Sequence, residues 1–335
     1  MRVTIADVAN RAGVSAQTVS RVINNKGEIS AETRERVLTV IQELGYRPNR
    51  IARSLATQQT YTIGLVIPDI ANPFFSELTR GAEDAAWEMG YNVLLCNTVE
   101  TDQREKSSLH LLEETRVDGV IVCSSRQDDD QLFPVLRSFP AAVLVNRIAP
   151  AEVAGVVRTD DHLGGRMAVQ HLLAGGRRKI AFLAGPHRSH SGVERLRGGM
   201  EVLHENGMEI CENWQIFGAP KRKAGYEAVI NLLQLHPEIN AIICHNDLMA
   251  VGALQACTEL GLSVPGDIAL VGFDDTVYSR VVCPPLTTIG VSKVELGMAA
   301  ARMLFERIQG TCHRNEVVFE PKLIIRGSTP AIITQ

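Results

Sequence analysis

Several familiar chemical signals are missing from this sequence. Its seven cysteines are scattered over 335 residues, and no two of them form a C-x-x-C pair. Cys96, Cys123 and Cys244 lie in apolar runs ("VLLCN", "VIVCS", "AIICHND"), where a free thiol acts as a small hydrophobe. An odd, unpaired set excludes a disulfide framework and predicts a reduced, cytoplasmic protein. The N-terminus carries Asp7 and no apolar signal-peptide core, and no apolar run is long enough to cross a bilayer, so no membrane association is expected. No G-x-G-x-x-G or P-loop follows any strand-like run, which removes the usual cradle for nucleotide chemistry. A G-x-S-x-G elbow is also absent. His187 and His190 in "HRSHSG" make too few ligands for a metal and read as a loop at a cleft edge. The expectation is a protein without enzymatic activity, cofactor or metal.

What is present is asymmetric. The formal net charge is −4, but residues 1–60 hold nine basic side chains against five acidic ones, a net +4, leaving about −8 for the remainder. A basic head on an acidic body suggests that the head meets a polyanion. Residues 1–45 read as three short helices. Thr4 caps "IADVANRA", which Gly13 ends; Ser15 caps "AQTVSRVI"; Ser30 caps "AETRERVLTVIQEL", followed by Gly45. Ala9, Gly13 and Val19 have the spacing of a helix-turn-helix: a small residue at the helix contact, a glycine in the turn and an apolar lock on the second helix. That second helix would present Gln17 for adenine and Arg21 for guanine, with Ser15, Thr18 and Ser20 near phosphates. A three-helix cap with solvated polar faces satisfies the same spacing. Pro48 then breaks the pattern, and "RIARSLATQQT" leads into the body.

From Tyr61 onward, continuous apolar runs alternate with helix-like segments. The strand-like runs are "YTIGLVIP", "YNVLLCN", "DGVIVCS", "AAVLVN", "RKIAFLAG", "NAIICHND" and "DIALVGFDD". Alternation of this kind predicts parallel sheets covered by helices on both faces, and the series is long enough for two. A two-lobed α/β body holds its ligand in the cleft at the carboxyl ends of the strands.

"TIADVANRAGVSAQTVSRVIN", "ETRERVLTVIQELGYRPNRIARSLAT", "GLVIPDIANPFFSEL", "ERLRGG", "CHNDLMAVGAL", "VGFDD" and "PPLTTI" resemble, in order and over essentially the whole chain, the LacI/GalR family of bacterial transcriptional regulators. The resemblance implies an α/β fold with a helix-turn-helix head (residues 1–46), a hinge helix or linker (47–59) and a periplasmic-binding-protein-like body (60–335). Lobe one of that body would comprise about 60–158 and 292–321, and lobe two about 159–291 and 322–335. It implies a repressor: a homodimer on pseudo-palindromic double-stranded operator DNA, controlled by a small carbohydrate-like effector. Ala16, Gln17 and Arg21 fall on the family's base-reading positions, and Thr4, Thr18, Ser20, Asn24 and Asn49 on its backbone-contacting ones. Ala52 and Leu55 fall on the hinge helix, with Leu55 as a minor-groove wedge.

For the effector, the resemblance points to Phe74, Phe75, Arg147, Asp160, Arg195, Asn246 and Asp274. The same phenylalanines also suit a core, Asp274 and Asp275 a turn, and Asp247 the cap of "LMAVGAL". One departure concerns Pro220, which stands where relatives often carry an aromatic. Lys221, Arg222 and Lys223 follow it, Arg147 and Arg158 lie near strand ends, and Asn146 replaces a common aspartate. These features motivate an expectation that the effector is an anionic sugar, acid or phosphate. The alternative is that 221–223 form the solvated first turn of the next helix. No leucine-heptad segment follows "PKLIIRGST", so a dimer is expected rather than a tetramer.

Overall fold

The computed structural model describes residues 3–23, 27–46, 59–208 and 211–330. The chain divides into two compact units, 1–60 and 61–335. The expectations for Asn24, Asn49, Ala52, Leu55 and nearly all of the 47–59 linker lie outside the described residues.

The head contains α1 (Ile5–Ala12), α2 (Ala16–Ile23) and α3 (Ala31–Leu44). Thr4 and Asp7 form a reciprocal capping box at α1: Asp7 N donates to Thr4 Oγ1 (3.4 Å) and Thr4 N donates to Asp7 Oδ2 (2.8 Å). These bonds to Thr4 hold the Asp7 carboxyl below its ordinary range. Gly13 ends α1 at φ 67°, a left-handed turn that a side chain would strain, and this turn sends α2 across α1. Ser15 Oγ accepts from Thr18 N (3.1 Å), and Ser30 Oγ from Thr33 N (3.3 Å). Val8, Ala9, Ala12, Val19, Val22, Val37 and Val40 close a small core among the three helices.

The body holds two six-stranded sheets. The strands and helices leading to the first are β1 (Thr62–Ile67), α4 (Pro73–Glu88), β2 (Asn92–Asn97), α5 (Asp102–Glu114), β3 (Gly119–Cys123), α6 (Asp129–Leu136), β4 (Ala142–Val145) and β5 (Gly155–Thr159). Then come α7 (Asp161–Ala174), β6 (Ile180–Gly185), α8 (His190–Glu205), β7 (Gln215–Phe217), α9 (Arg222–Leu235), β8 (Ala241–Cys244), α10 (Asp247–Glu259), β9 (Ala269–Asp274), α11 (Val277–Val281) and β10 (Thr287–Gly290). The chain closes with α12 (Lys293–Ile308), β11 (Glu316–Phe319) and β12 (Lys322–Ile324). Sheet one has the order β11-β5-β4-β3-β1-β2, and sheet two the order β12-β10-β9-β8-β6-β7. All pairings are parallel except β10 with β12. The chain therefore passes between the sheets after β5, after β10 and after β11, making a three-stranded connection between two lobes. Each sheet carries apolar layers on both faces, which explains the unbroken apolar runs.

Three helix pairs pack at backbone contact. A Cβ on Gly81 would lie 2.0 Å from the Val294 carbonyl, and one on Gly297 2.0 Å from that of Leu78, joining α4 to α12. Gly165 and Gly198 meet the Arg195 and His162 carbonyls at the same distance, joining α7 to α8. Gly225 and Gly252 do this for α9 and α10 at 2.3 and 2.0 Å. The α7–α8 contact fixes the backbone of Arg195 directly behind the cleft. No described helix is long and apolar enough to cross a membrane.

Candidate functional site

The carboxyl ends of the strands of both sheets converge on one chamber. From lobe one it takes Asn72 and Phe75 (after β1), Glu100 (after β2), Ser124 and Arg126 (after β3) and Asn146 (after β4). From lobe two it takes Ser189 and Ser191 (after β6), Pro220 (after β7), His245 and Asn246 (after β8) and Asp274 at the end of β9, with Arg195 one turn into α8. This is the position at which parallel sheets present ligand contacts.

Backbone strain gathers at the same place. Eight described non-glycine residues have positive φ, and four of them, Glu100, Ser124, Asn146 and Asp274, line this chamber. Non-glycine residues adopt that region at a cost and only when their surroundings enforce it, and such outliers cluster at ligand sites. At Asp274 (φ 100°) the enforcing group is the buried Lys293, whose Nζ donates to the carbonyls of Asp274 (2.9 Å) and Asp275 (2.8 Å).

Arg195 organises the floor. Its Nε donates to Asp161 Oδ1 (2.7 Å), its Nη1 donates to the His245 carbonyl, and its Nη2 lies 3.7 Å from Asp274 Oδ1. The guanidinium sits 4.1 Å over the Phe273 ring. Burial pushes the Asp274 carboxyl up to about 6, against the pull of Arg195 and Lys293. Next to it, Asp247 accepts from Thr276 N (2.6 Å), Thr276 Oγ1 (3.0 Å) and Thr288 Oγ1 (2.7 Å), which ties α10 to the loop after β9 and to β10 itself. Burial first, then the charge of Asp274, raise Asp247 to about 7. His245 is driven well below the ordinary imidazole range, by burial and then by Arg195 and Arg126. It therefore faces the chamber as neutral imidazole. On the opposite wall Arg126 pairs with Glu100 at 3.3 Å, both largely buried.

Among the described residues six buried side-chain polar atoms lack a hydrogen-bond partner, and two of them belong to chamber residues. Ser191 Oγ and His245 Nδ1 are buried without a hydrogen bond, and both residues line the chamber. A buried unpaired donor or acceptor costs about 1–3 kcal/mol, so such atoms mark places where a ligand supplies the missing bond.

The expected site residues separate into groups. Arg195, Asp274, Asn246, Phe74 and Phe75 all reach the chamber. Phe74 and Phe75 also pack edge-to-face (5.1 Å between ring centres) into the first core, so they wall the chamber as core residues. Asn246 rather than Asp247 caps α10: its Oδ1 accepts from Met249 N (2.9 Å) and its Nδ2 donates to the Pro220 carbonyl (3.2 Å). Asp160 is outside the chamber, capping α7 through Leu163 N (2.9 Å). Arg147 stands on the outer rim, bonded to Asp129 (2.6 Å) and to the Ser125 carbonyl (3.0 Å).

The cations behind the expected anionic effector do not gather. Arg158 pairs with Glu316 at 2.6 Å. Lys221, Arg222 and Lys223 are exposed at the start of α9, where Arg222 bonds Gln255 and Lys223 faces Glu227 (3.6 Å). That is the solvated first turn held out as the alternative. Glu100, Ser124, Arg126, Ser191 and His245 were not singled out from the sequence. Their only local signal is a position just past an apolar run, and the Glu100–Arg126 pair spans 26 residues.

In the head, Thr4, Ser15, Ala16, Gln17 and Arg21 are exposed, and Thr18 and Ser20 are half-buried. The side chains of Ala16, Gln17 and Arg21 sit on the outer side of α2, opposite the buried Val19 and Val22. Thr4 and Ser15 spend their side chains on caps, Ser15 bonding Thr18 Oγ1 as well (2.9 Å).

A helix-turn-helix head joined to a two-lobed body with a polar interlobe chamber defines a ligand-responsive DNA-binding regulator. Residues 4–49 match the family of bacterial regulatory proteins of the lacI type, and residues 60–325 match the family of periplasmic binding proteins and sugar-binding domains of the LacI family. The chain belongs to the LacI family of transcriptional regulators. It is 37% identical to the HTH-type transcriptional repressor PurR of Mannheimia succiniciproducens, over 98% of this chain and 99% of that protein. It is 35% identical to the HTH-type transcriptional regulator GalR of Escherichia coli, over 98% of this chain and 97% of that one. Among solved structures, the lac repressor dimer bound to operator and the anti-inducer ONPF superposes with a TM-score of 0.89 at 32% identity, covering 99% of this chain and all of that one. The transcriptional regulator CelR in complex with cellobiose gives 0.74 at 35% identity, covering 98% and 100%.

Proposed function

We propose that this chain is an operator-binding repressor, acting as a homodimer, whose affinity for DNA is set by a neutral polyhydroxylated ligand in the interlobe chamber. Gln17 and Arg21 on α2 read base edges in the major groove, and the N-terminus of α2 with Ser15 and Thr18 meets phosphates. Arg195 and Asp274 are the principal ligand contacts, with Ser191, His245 and Arg126 as further donors and acceptors. Asn246 and Asn146, also in the chamber wall, hold the strand ends in place, Asn246 through Met249 N and the Pro220 carbonyl and Asn146 through Thr159 N.

The observation that carries the reading is the pair of unpartnered buried atoms, Ser191 Oγ and His245 Nδ1, beside an Arg195–Asp274 pair at the meeting point of two sheets. Every cation at the chamber has a carboxylate beside it, Arg195 with Asp161 and Asp274 and Arg126 with Glu100, so the wall offers hydrogen bonds rather than net charge. That favours hydroxyls over a phosphate. CelR, solved in complex with cellobiose, supports the same reading. Isothermal calorimetry with a panel of sugars, sugar phosphates and purine bases tests it. A neutral sugar should bind, and Arg195→Ala should remove the binding. Binding of a sugar phosphate or a base alone would contradict it.

A further inference from the structure

As the lobes stand, the chamber encloses about 30 Å³, room for about one water. A ring-sized ligand therefore enters only when the lobes part. At the mouth, one arginine bridges them. Arg188 lies in the turn between β6 and α8 of lobe two, next to the chamber residue Ser189. Its Nη1 donates to Asp102 Oδ2 (3.1 Å), and its Nη2 lies 3.4 Å from Asp128 Oδ2, both in lobe one. Among the described residues, these are the ion pairs that join the lobes across the cleft. The pairs of Arg195 stay within lobe two, and that of Arg126 stays within lobe one.

Both carboxylates have a second place to go. Asp128 is the N-cap residue of α6 and has the extended backbone of a cap (φ −71°, ψ 155°), yet its side chain makes no capping bond. Thr4, Ser30 and Asn246 spend theirs on the cap. Asp102 is the first residue of α5, where a negative charge faces the positive end of the helix dipole. In an open cleft Asp128 can turn back to the N–H groups of the first turn of α6, and Asp102 keeps its helix terminus, so neither charge is stranded. The side chains of Arg188, Asp102 and Asp128 are about half exposed (55%, 44% and 55%), so water also receives them. A buried pair at this place would lock the lobes, because parting it strands a charge; an exposed one holds them weakly and reversibly.

We infer that Arg188 is an ionic latch: it holds the ligand-free cleft closed and releases it at low cost, with Asp128 exchanging Arg188 for the cap of α6 as the lobes part. The consequence for ligand entry rests on the proposed reading of the chamber, but the latch itself is read without a ligand. Two exposed pairs favour the closed form about three- to tenfold at low salt. That bias fades as the screening length falls from about 30 Å in about 0.01 M salt to about 3 Å in about 1 M. Entry and escape become salt-dependent even for a ligand that carries no charge.

The test puts a reporter thiol inside the chamber. Ser191 is buried there and its Oγ has no bond to lose, so the thiol of Ser191→Cys is alkylated only when the cleft is open. Its rate of labelling by iodoacetamide is followed on the full chain by peptide mass spectrometry, with the buried Cys244 and Cys257 as reporters of general loosening. Adding Arg188→Ala should raise the rate at the reporter about three- to tenfold in low salt. High salt should speed the parent by the same factor and leave the Arg188→Ala chain nearly unchanged. Arg188→Glu should exceed Arg188→Ala, and Asp102→Lys with Asp128→Lys should bring it back toward the parent. Asp128→Asn keeps a capping side chain without the charge, and should give a smaller rise than Arg188→Ala. Equal rates in the parent and Arg188→Ala would overturn the latch, as would a rise matched at Cys244 and Cys257, or a salt response that persists without Arg188. A chain that binds no saccharide in calorimetry would end the sugar reading and leave the labelling rates to decide the latch.

Discussion

Arg195 joins the fold to the ligand chamber, and removing it makes a quantitative test. Its partner Asp161 is 3% exposed and takes a 2.7 Å bond from Nε. In Arg195→Ala the Asp161 carboxylate stays buried with its counter-charge gone, and the His245 carbonyl loses its donor. Breaking one side of a buried ion pair costs about 3–5 kcal/mol. For a body of this size each kcal/mol moves the melting temperature by about 2–4 °C, so Arg195→Ala should melt roughly 6–20 °C lower. The cost belongs to the orphaned carboxylate, so Asp161→Asn should return part of it in the double variant. Arg195→Lys keeps the charge but cannot serve Asp161 and the His245 carbonyl and cover the Phe273 ring together, and should fall between. The assay is differential scanning fluorimetry of the four-member cycle at pH 7.5 and fixed salt. Arg195→Ala melting within 2 °C of the parent, or losses that simply add in the double variant, would refute the argument.

Three further outcomes follow from the same geometry. Asp247 and Asp274 hold their protons more tightly folded, at about 7 and about 6, than an unfolded carboxyl does at about 3.9. The folded state therefore binds more protons between about pH 4 and pH 7, and the contribution of these groups to stability falls as pH rises through that window. Asp247→Asn should flatten this slope in thermal melts, whereas an unchanged slope would count against it. Gly165→Ala places a methyl 2.0 Å from the Arg195 carbonyl and should cost about 1–3 kcal/mol while weakening ligand binding; undiminished binding would mean that the α7–α8 contact does not position Arg195. Arg21→Ala should cost about 1–3 kcal/mol at one base pair of the operator and relax the preference there, as read by anisotropy on single-substitution duplexes. Equal losses on random DNA would assign Arg21 to the backbone instead.

The sequence showed best what depends on neighbours along the chain. Thr4, Gly13, Ser30 and Gly45 cap and close their helices as their local chemistry directs. The seven apolar runs become β1 to β4, β6, β8 and β9, of which all but the edge strand β2 are interior to their sheets. Strand β12 falls in the strand-like "PKLIIRGST", whereas β5, β7, β10 and β11 carry no such mark; they lie toward or at sheet edges, where pairing rather than composition defines them. The alternative reading of Asp247 as the cap of α10 falls one residue late: Asn246 and Asp247 are both good caps, and only the long-range bonds of Asp247 to Thr276 and Thr288 decide between them. The chamber was half legible. Arg195 and Asp274 sit in recognisable segments, but Arg126, Ser191 and His245 acquire meaning only when the end of β3 in one sheet faces the ends of β6 and β8 in the other. The run 221–223 misled because charge along a chain does not say which way a helix turn faces.

The central claim couples a ligand in the chamber to DNA held by the head. Selection from random-sequence DNA should first yield a two-fold pseudo-palindrome. Fluorescence anisotropy of the full chain on that duplex, at fixed salt, is then measured with and without the saccharide that calorimetry shows to bind. Because the ligand acts only through its different affinity for two body conformations, the coupling should be about 1–3 kcal/mol, a change in operator Kd of roughly 5–150-fold. A chain that binds the sugar at saturation and holds its operator with unchanged Kd would contradict the account.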